Sequence, residues 1–473
     1  MAAGKRNPTA VPGLDGKGRG GLPCGVRRAD PLVLRMTAAP ATSCPRWKLL
    51  LIASGMALPV GTACAFFLWS LEVVTRTRFG HPWLLYLLPL AGMAVAWLYH
   101  RHGGASEGGN NLVIDRIHDP GGGLPRRMAP LVLLGTLATH LCGGSAGREG
   151  TALQMGGSIA SGVARHFQFD ADGLRILLMA GMAAGFGAVF GTPLAGAVFA
   201  VEVAVVGRPK FRALPACLLA AWIGDQTCLA WGVGHTRYHI DGVAAAAEWT
   251  AGIYLDPRLL GKIALAGVAF GVVSLLFSES CHRLAAGLRR MEPNPVLRPA
   301  IGGLAVIGLF FLCGRADYLG LGVWSPDPQA VSLVSLFASE QIHPWSWAWK
   351  FAFTAVTISA GFKGGEVTPL FFIGAALGNA LAGPLGAPPE LFAALGFVAV
   401  FAGATNTPVA CLLMGMELFG ARHALPLAVA CGVAFLCSGH RGIYRSQRII
   451  LTKPGWRRPG SPRGPRAGRE DGK

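Results

Sequence analysis

A glycine-rich segment at residues 143–150 reads Gly-Gly-Ser-Ala-Gly-Arg-Glu-Gly. Glycines leave backbone N–H groups free to converge on an anion. The apolar helix predicted to follow would add the partial positive charge of its N-terminus. Gly147, Arg148 and Gly150 are therefore candidate anion-binding residues. Glu149, at the helix start, either caps the helix or gates the site by exchanging a proton beside the anion. A carboxylate in a membrane segment favours gating.

A second segment of the same kind lies at residues 364–369 and reads Gly-Gly-Glu-Val-Thr-Pro. It again places glycines and a glutamate before a predicted apolar helix. The Thr368 hydroxyl is a candidate donor to an anion, and Val367 would shape the site without donating. Glu366 either caps its helix or carries a proton.

Two further polar positions fit the same chemistry. Asn110, in Glu-Gly-Gly-Asn-Asn-Leu at residues 107–112, could donate an amide N–H to the anion. An asparagine after glycines is also typical of a simple turn. Tyr444, in the segment Gly-Ile-Tyr-Arg, is either an aromatic anchor at the membrane interface or an O–H donor to the anion.

The chain contains an internal repeat. The pattern Glu-x-Thr-x-Leu begins at Glu149 and again at Glu366, and each copy is followed by a Thr-Pro pair with a glutamate nine positions after the proline. Those later glutamates are Glu202 and Glu417. Their matched positions favour a structural role at helix ends, with a proton role for Glu202 as the alternative. Repeats in membrane proteins are typical of transporters, whose ion sites lie where the repeats meet.

The composition of the chain predicts that a membrane-embedded helical domain positions these residues. The chain has 473 residues, of which 52% are hydrophobic and 14% charged, well below the roughly 25% charged residues of soluble proteins. We predict an all-α polytopic membrane protein with two inverted repeats of tilted and broken helices. Eleven apolar runs support it: 49–73, 82–100, 128–142, 173–206, 214–233, 263–284, 300–313, 345–360, 367–385, 391–404 and 424–437.

The net charge of +18 is concentrated in two basic tails that flank the apolar body. The positive-inside rule predicts that both are cytoplasmic, in a multi-pass protein of the cell (inner) membrane. We expect disordered tails at 1–46 and 454–473, a first repeat at 47–245 and a second at 246–453. The eleven scattered cysteines favour buried apolar roles over a metal or disulfide framework, and no cofactor motif is present. Because the basic tails flank an apolar body, we expect the lipid bilayer, and not nucleic acid, as a partner.

These motifs resemble those of the CLC family of chloride channels and transporters. Gly147–Gly150 is similar to the gating-glutamate motif, 364–369 to the second anion motif, and 442–444 to the segment with the central tyrosine. The resemblance implies a homodimer with an ion pathway in each subunit. Asn110 stands where ordinary members have serine, and Val203 where chloride antiporters often have a carboxylate. These departures resemble the fluoride/proton antiporter branch.

That branch implies fluoride export coupled to proton influx. Fluoride is small and strongly hydrated, so its dehydration must be offset by close donors in a medium of low dielectric. Asn110, Tyr444, Thr368 and backbone N–H groups would supply them. Glu149 would couple the proton to the anion, and Glu366 would relay the proton inward in place of the carboxylate missing at Val203.

Two alternatives remain open. A chloride channel or chloride/proton antiporter of the same fold would carry most of the same motifs. Residues 143–147 also match Gly-x-Ser-x-Gly, the nucleophile motif of serine hydrolases, with Ser145 as nucleophile and His140 nearby in sequence. Apolar helices flank the segment instead of the strand–turn–helix that a hydrolase needs, so we expect no enzyme activity.

Overall fold

A computed structural model describes residues 45–207, 209–236, 238, 256–337, 342–450 and 452–454. The described chain is almost entirely helical, as predicted. Six of its helical segments are long and apolar enough to cross a membrane. The fifteen α-helices are α1 Arg46–Gly80, α2 Leu88–His102, α3 Gly109–His118, α4 Met128–Leu141, α5 Glu149–His166, α6 Ala171–Phe190, α7 Pro193–Glu202, α8 Leu214–Ala230, α9 Pro257–Met291, α10 Arg298–Cys313, α11 Ser346–Ser359, α12 Val367–Leu385, α13 Pro389–Thr405, α14 Pro408–Phe419 and α15 Ala424–Cys437.

Short elements join these helices. Five 3-10 segments lie at Pro82–Leu87, Gly104–Gly108, Phe211–Ala213, Ser335–Phe337 and Ala421–His423. Two strands of two residues each, β1 Val205–Val206 and β2 Arg448–Ile449, pair in parallel. This pair ties the segment after Tyr444 to the end of α7. Residues 1–44 and 455–473 of the predicted tails, and the predicted boundary at 245/246, lie outside the described residues, whereas Arg46 already begins α1.

The helix order repeats along the chain. Helices α1, α2 and α4 to α8 correspond in order and approximate length to α9, α10 and α11 to α15, and α1 and α9 have 35 residues each. Each half contains a close helix crossing at two glycines. A Cβ built on Gly156 of α5 would lie 2.0 Å from the Gly181 carbonyl oxygen of α6, and one on Gly374 of α12 would lie 2.0 Å from that of Gly396 of α13. Small residues of this kind let membrane helices pack closely.

The apolar runs predicted most of the helices, with two differences. The run 173–206 is two helices, because Gly191 ends α6 with φ of +70° and Pro193 starts α7. Helices α3, α5 and α14 were not among the predicted runs. In α5, glycines, serines and a glutamine interrupt the apolar residues, so its helical character comes from packing inside the protein.

Helices α7 and α14 cap each other. The Glu202 carboxylate at the end of α7 accepts the backbone N–H groups of Val409 and Ala410 at 3.2 and 2.8 Å. Glu417 of α14 accepts those of Leu194 and Ala195 at 2.9 and 2.8 Å. A proline occupies the first position of both helices, so these are the next free donors. The two helices must run antiparallel, as an inverted repeat requires.

We predict that Glu417→Ala and Glu202→Ala each lower the free energy of unfolding by about 0.5–2 kcal/mol, the usual cost of losing an N-terminal cap. Unfolding of the purified protein in detergent measures the loss. Glu279→Ala is the control, because Glu279 forms a partly exposed i,i+4 pair with Arg283, which is worth at most about 0.5 kcal/mol. If Glu202→Ala is as stable as Glu279→Ala, Glu202 does not stabilise α14 as a cap, and its alternative role as a proton carrier is favoured.

Aromatic rings hold the two halves together beneath the glycine-rich segments. Phe190 of α6 packs on Phe371 of α12 with ring centroids 5.3 Å apart, and Phe199 of α7 stacks on Phe401 of α13 at 5.8 Å. Phe371 lies one helical turn beyond Thr368, so this packing fixes the start of α12 relative to the first half.

Candidate functional site

The two glycine-rich segments meet in a short antiparallel backbone pair. Gly147 N–H donates to the Gly365 carbonyl at 2.5 Å, and Gly365 N–H donates to the Gly147 carbonyl at 2.8 Å. A Cβ on Gly147 would lie 2.9 Å from the Gly365 carbonyl oxygen, and one on Gly365 would lie 2.7 Å from the Gly150 nitrogen. Only glycine allows this approach, which brings the starts of α5 and α12 together.

Glu149 crosses from one segment to the other. Its carboxylate is fully buried and accepts three hydrogen bonds: from the Thr368 hydroxyl, from the Thr368 backbone N–H at 3.0 Å, and from the Arg148 backbone N–H at 3.1 Å. The Arg148 guanidinium adds an ion pair, with Nε 3.5 Å from Glu149 Oε1. The donors that surround the Glu149 carboxylate therefore come from both repeats, and they form a candidate anion site. An anion could enter this site only after Glu149 leaves it.

Asn110 lies beside this site. Its amide nitrogen would be 2.7 Å from a Cβ built on Gly150. The Asn110 Oδ1 atom is buried and accepts no hydrogen bond from the residues that the structure describes. The neighbouring Asn111 Oδ1 accepts the Ser446 N–H at 3.2 Å. This bond joins the first polar loop to the segment that carries Tyr444.

Tyr444 is buried, with 4% of its surface exposed, and its hydroxyl has no hydrogen-bond partner. It is therefore not an interfacial anchor. An unpartnered buried hydroxyl costs free energy, and an anion between Glu149 and Tyr444 would satisfy it.

Glu366 occupies the N-cap position of α12, yet its side chain makes no capping hydrogen bond. It is partly buried, next to the fully buried Val367. Among the described residues, Glu366 is not a hydrogen-bond partner of Glu149, whose partners are Arg148 and Thr368. Glu202 and Glu417 lie apart from this group, at the contact of α7 with α14.

Ser145 does not form a hydrolase site. Its hydroxyl bonds the Thr354 hydroxyl at 2.8 Å. The two ring nitrogens of His140 bond the carbonyls of Thr136 and Ala146 at 2.8 and 3.0 Å. Serine and histidine are thus both occupied by other partners.

Sequence reasoning missed Arg78. This arginine at the end of α1 is only 8% exposed and its Nε has no hydrogen-bond partner. The available signal was a pair of arginines, Arg76 and Arg78, just after the first apolar run. Its approach to the glycine-rich segment depends on tertiary packing.

Gly150→Ala should damage the site. The added Cβ would meet the Asn110 amide nitrogen at 2.7 Å and the Gly365 Cα at 3.0 Å, and overpacking of this kind costs about 1–3 kcal/mol. We expect fluoride efflux from liposomes to fall by about tenfold or more, the equivalent of ~1.4 kcal/mol. Gly162→Ala, in the same helix, is the control because nothing lies within 4 Å of its Cβ. Similar efflux from both variants would show that Asn110 and Gly365 do not need their present positions.

The chain matches the family described as "Voltage gated chloride channel" over residues 91–439. It is 46% identical over 412 residues to a "Chloride/fluoride channel protein" of Pseudomonas syringae pv. tomato, covering 86% of this chain and 87% of that protein. It is 27% identical over 344 residues to an "H(+)/Cl(-) exchange transporter ClcA" of Vibrio vulnificus, covering 67% and 68%.

Solved structures agree with this. One described as a CLC-type fluoride/proton antiporter superposes with a TM-score of 0.80 at 34% identity, covering 87% of this chain and all of that one. A slow cyanobacterial Cl-/H+ antiporter shares the fold, with a TM-score of 0.69 at 21% identity, covering 85% and 97%. The predicted helical membrane fold and the family resemblance are thus confirmed: this protein belongs to the voltage-gated chloride channel, or CLC, family.

Proposed function

We propose that this protein exports fluoride across the cell membrane in exchange for protons. The observation that carries the proposal is the Glu149 carboxylate, which occupies an anion site formed by the backbone N–H groups of Arg148 and Thr368 and by the Thr368 hydroxyl. An anion and the ionised glutamate compete for the same donors. Protonation of Glu149 removes its charge and weakens its hold on them.

Fluoride fits the arrangement better than a larger halide. The donors are backbone N–H groups, one hydroxyl and the amide of Asn110, which converge where glycines allow the backbones to approach within 2.8 Å. A small anion gains most from such short, charge-assisted hydrogen bonds. The relative with "chloride/fluoride" in its name and the fluoride/proton antiporter structure support this choice.

The proposal extends to assembly and orientation. We infer a homodimer, with an ion pathway in each subunit, from the family resemblance. The basic tails favour cytoplasmic termini by the positive-inside rule. In this orientation the end of α1, with Arg78, faces away from the cytoplasm. A protease-protection assay on the inner membrane of intact cells would test the orientation, since exposure of either terminus outside would overturn it.

Halide efflux from liposomes tests the anion. We expect fluoride to leave liposomes containing the wild-type protein much faster than chloride. Asn110→Ser should narrow the difference, because serine replaces the amide donor with the hydroxyl that ordinary family members have. Equal efflux of both halides by the wild type would contradict fluoride selectivity. It would favour a chloride channel or chloride/proton antiporter, the activity class named for the 27% identical relative.

A further inference from the structure

A cavity lined by Arg78 and Arg148 lies beside Glu149, the proposed gate. Its volume is about 300 Å³, and the last turns of α1, residues 232–234 and 236, residues 321–324 and Arg148 line it. Arg148 connects the cavity to the gate, because its Nε is 3.5 Å from Glu149 Oε1. We call this space the outer cavity, as it adjoins the end of α1 that the proposed orientation places outside.

The charged groups around the outer cavity differ in whether they have a partner of opposite charge. Its carboxylate, Glu72, is already used: Oε1 pairs with Arg76 at 2.7 Å and Oε2 accepts the Trp324 indole N–H at 3.1 Å. Arg148 pairs with Glu149. Arg78 has no ion pair with any residue in the part of the chain that the structure describes. The outer cavity therefore carries an uncompensated positive charge.

Packing contacts hold the Arg78 side chain in place, but its Nε–H has no hydrogen-bond acceptor among the described residues. Its guanidinium carbon lies 4.3 Å from the centre of the Phe79 ring, and its Nε lies 3.4 Å from the position of a Cβ on Gly320. A second buried cation, Lys350, donates to the carbonyls of Tyr318 and Gly320 at 3.2 and 2.9 Å. Burying a cation with an unused N–H is costly. Lys350 has acceptors for its charge, whereas the Arg78 Nε–H has none among the described residues, so an anion in the cavity would supply the missing partner of Arg78.

We propose that the outer cavity is a second anion site, in which a small inorganic anion binds between Arg78 and Arg148 after leaving the gate. This proposal depends on the proposed export function only for the direction in which the anion moves. Guanidinium groups are weakly hydrated and reachable from the cavity, and no short donors enclose the space. The site therefore takes chloride and bromide as well as fluoride.

Occupation of the outer site is linked to the gate. While Glu149 is ionised, it neutralises Arg148. When Glu149 is protonated, Arg148 loses that counter-charge and attracts an anion more strongly. By thermodynamic reciprocity an anion in the outer cavity also favours the protonated gate. Glu149→Gln mimics the neutral gate, so this variant should bind the outer anion more tightly than the wild type.

Bromide tests the proposal directly, because its anomalous X-ray scattering identifies it in crystals of the whole protein. We expect a bromide peak within hydrogen-bonding distance of Arg78 and Arg148 in the wild type. Its half-saturating concentration should be at least about fivefold lower in Glu149→Gln, the lower end of typical coupling between sites. Arg78→Gln should abolish the peak. Arg76→Gln is the matched control and should retain it, because Arg76 is exposed and paired with Glu72.

Three results would overturn the outer site: no peak in the wild type or Glu149→Gln, a peak that survives Arg78→Gln, or equal half-saturation in the wild type and Glu149→Gln. If Arg78→Gln does not fold, the last comparison decides alone. Bromide binding needs no transport, so the two proposals fail separately. A peak without fluoride–proton coupling would refute only the export function, and coupling without a peak would refute only the outer site.

Discussion

Glu149→Gln is expected to abolish proton transport while the protein still folds and binds anions. Glutamine keeps the shape of the side chain, and its carbonyl can accept one of the Thr368 donors. Its amide cannot take up or release a proton, so the proton cycle has no carrier at the gate. Proton uptake driven by an outward fluoride gradient should fall to the level of protein-free liposomes.

Glu417→Gln provides the control for this experiment. The Glu417 carboxylate also accepts two backbone N–H groups, but Glu417 is exposed and lies at the contact of α7 with α14. This control should lose some stability and keep coupled transport. Proton movement against a gradient by Glu149→Gln would show that Glu149 is not the coupling group.

Glu366→Gln should have the second largest effect. Glu366 stands at the N-cap of α12 and makes no capping bond there, so a purely structural role is poorly supported. It directly follows Gly365, whose backbone pairs with Gly147 two residues before Glu149. Val203 is fully buried and offers no group that could carry a proton. We propose that Glu366 relays the proton between the cytoplasm and Glu149.

The substitution Glu366→Gln distinguishes a proton-relay role of Glu366 from a helix-capping role. Glutamine keeps the shape of Glu366 and part of its hydrogen-bonding capacity, so loss of a cap would lower stability and leave coupling intact. Loss of a relay would stop fluoride-driven proton uptake in a protein that elutes normally as a folded oligomer. Glu202→Gln should retain coupling, because Glu202 caps α14. Normal coupling in Glu366→Gln, together with its loss in Glu202→Gln, would move the inner proton route to Glu202.

The sequence predicted much of the site because its chemistry is local. Glycines before a helix indicate an anion site at the helix start, and this pattern located Glu149, Thr368 and Asn110. The repeat of Glu-x-Thr-x-Leu predicted that the two halves would share an ion site. The structure adds that the two halves meet there, since both Thr368 donors go to Glu149 of the other half.

Features that depend on contacts between residues far apart in the sequence were harder to predict. Glu202 and Glu417 were matched by position, but their partners lie about half the chain away, so sequence alone could not assign the reciprocal caps. Helix α5 was missed as an apolar run because its glycines and serines are buried against other parts of the protein: Gly156 meets Gly181 of α6, and Ser158 donates to the Pro125 carbonyl. Arg78 was missed because its burial depends on Gly320, which is far away in sequence.

Proton uptake into liposomes that contain fluoride tests the central claim most directly. Purified protein is reconstituted with fluoride inside and none outside, at equal pH, and internal pH and external fluoride are recorded together. The proposed antiport predicts that fluoride leaves while the interior becomes more acidic than the medium, even when an opposing proton gradient is imposed. Fluoride efflux with no change in internal pH, or equal acidification driven by chloride, would contradict it.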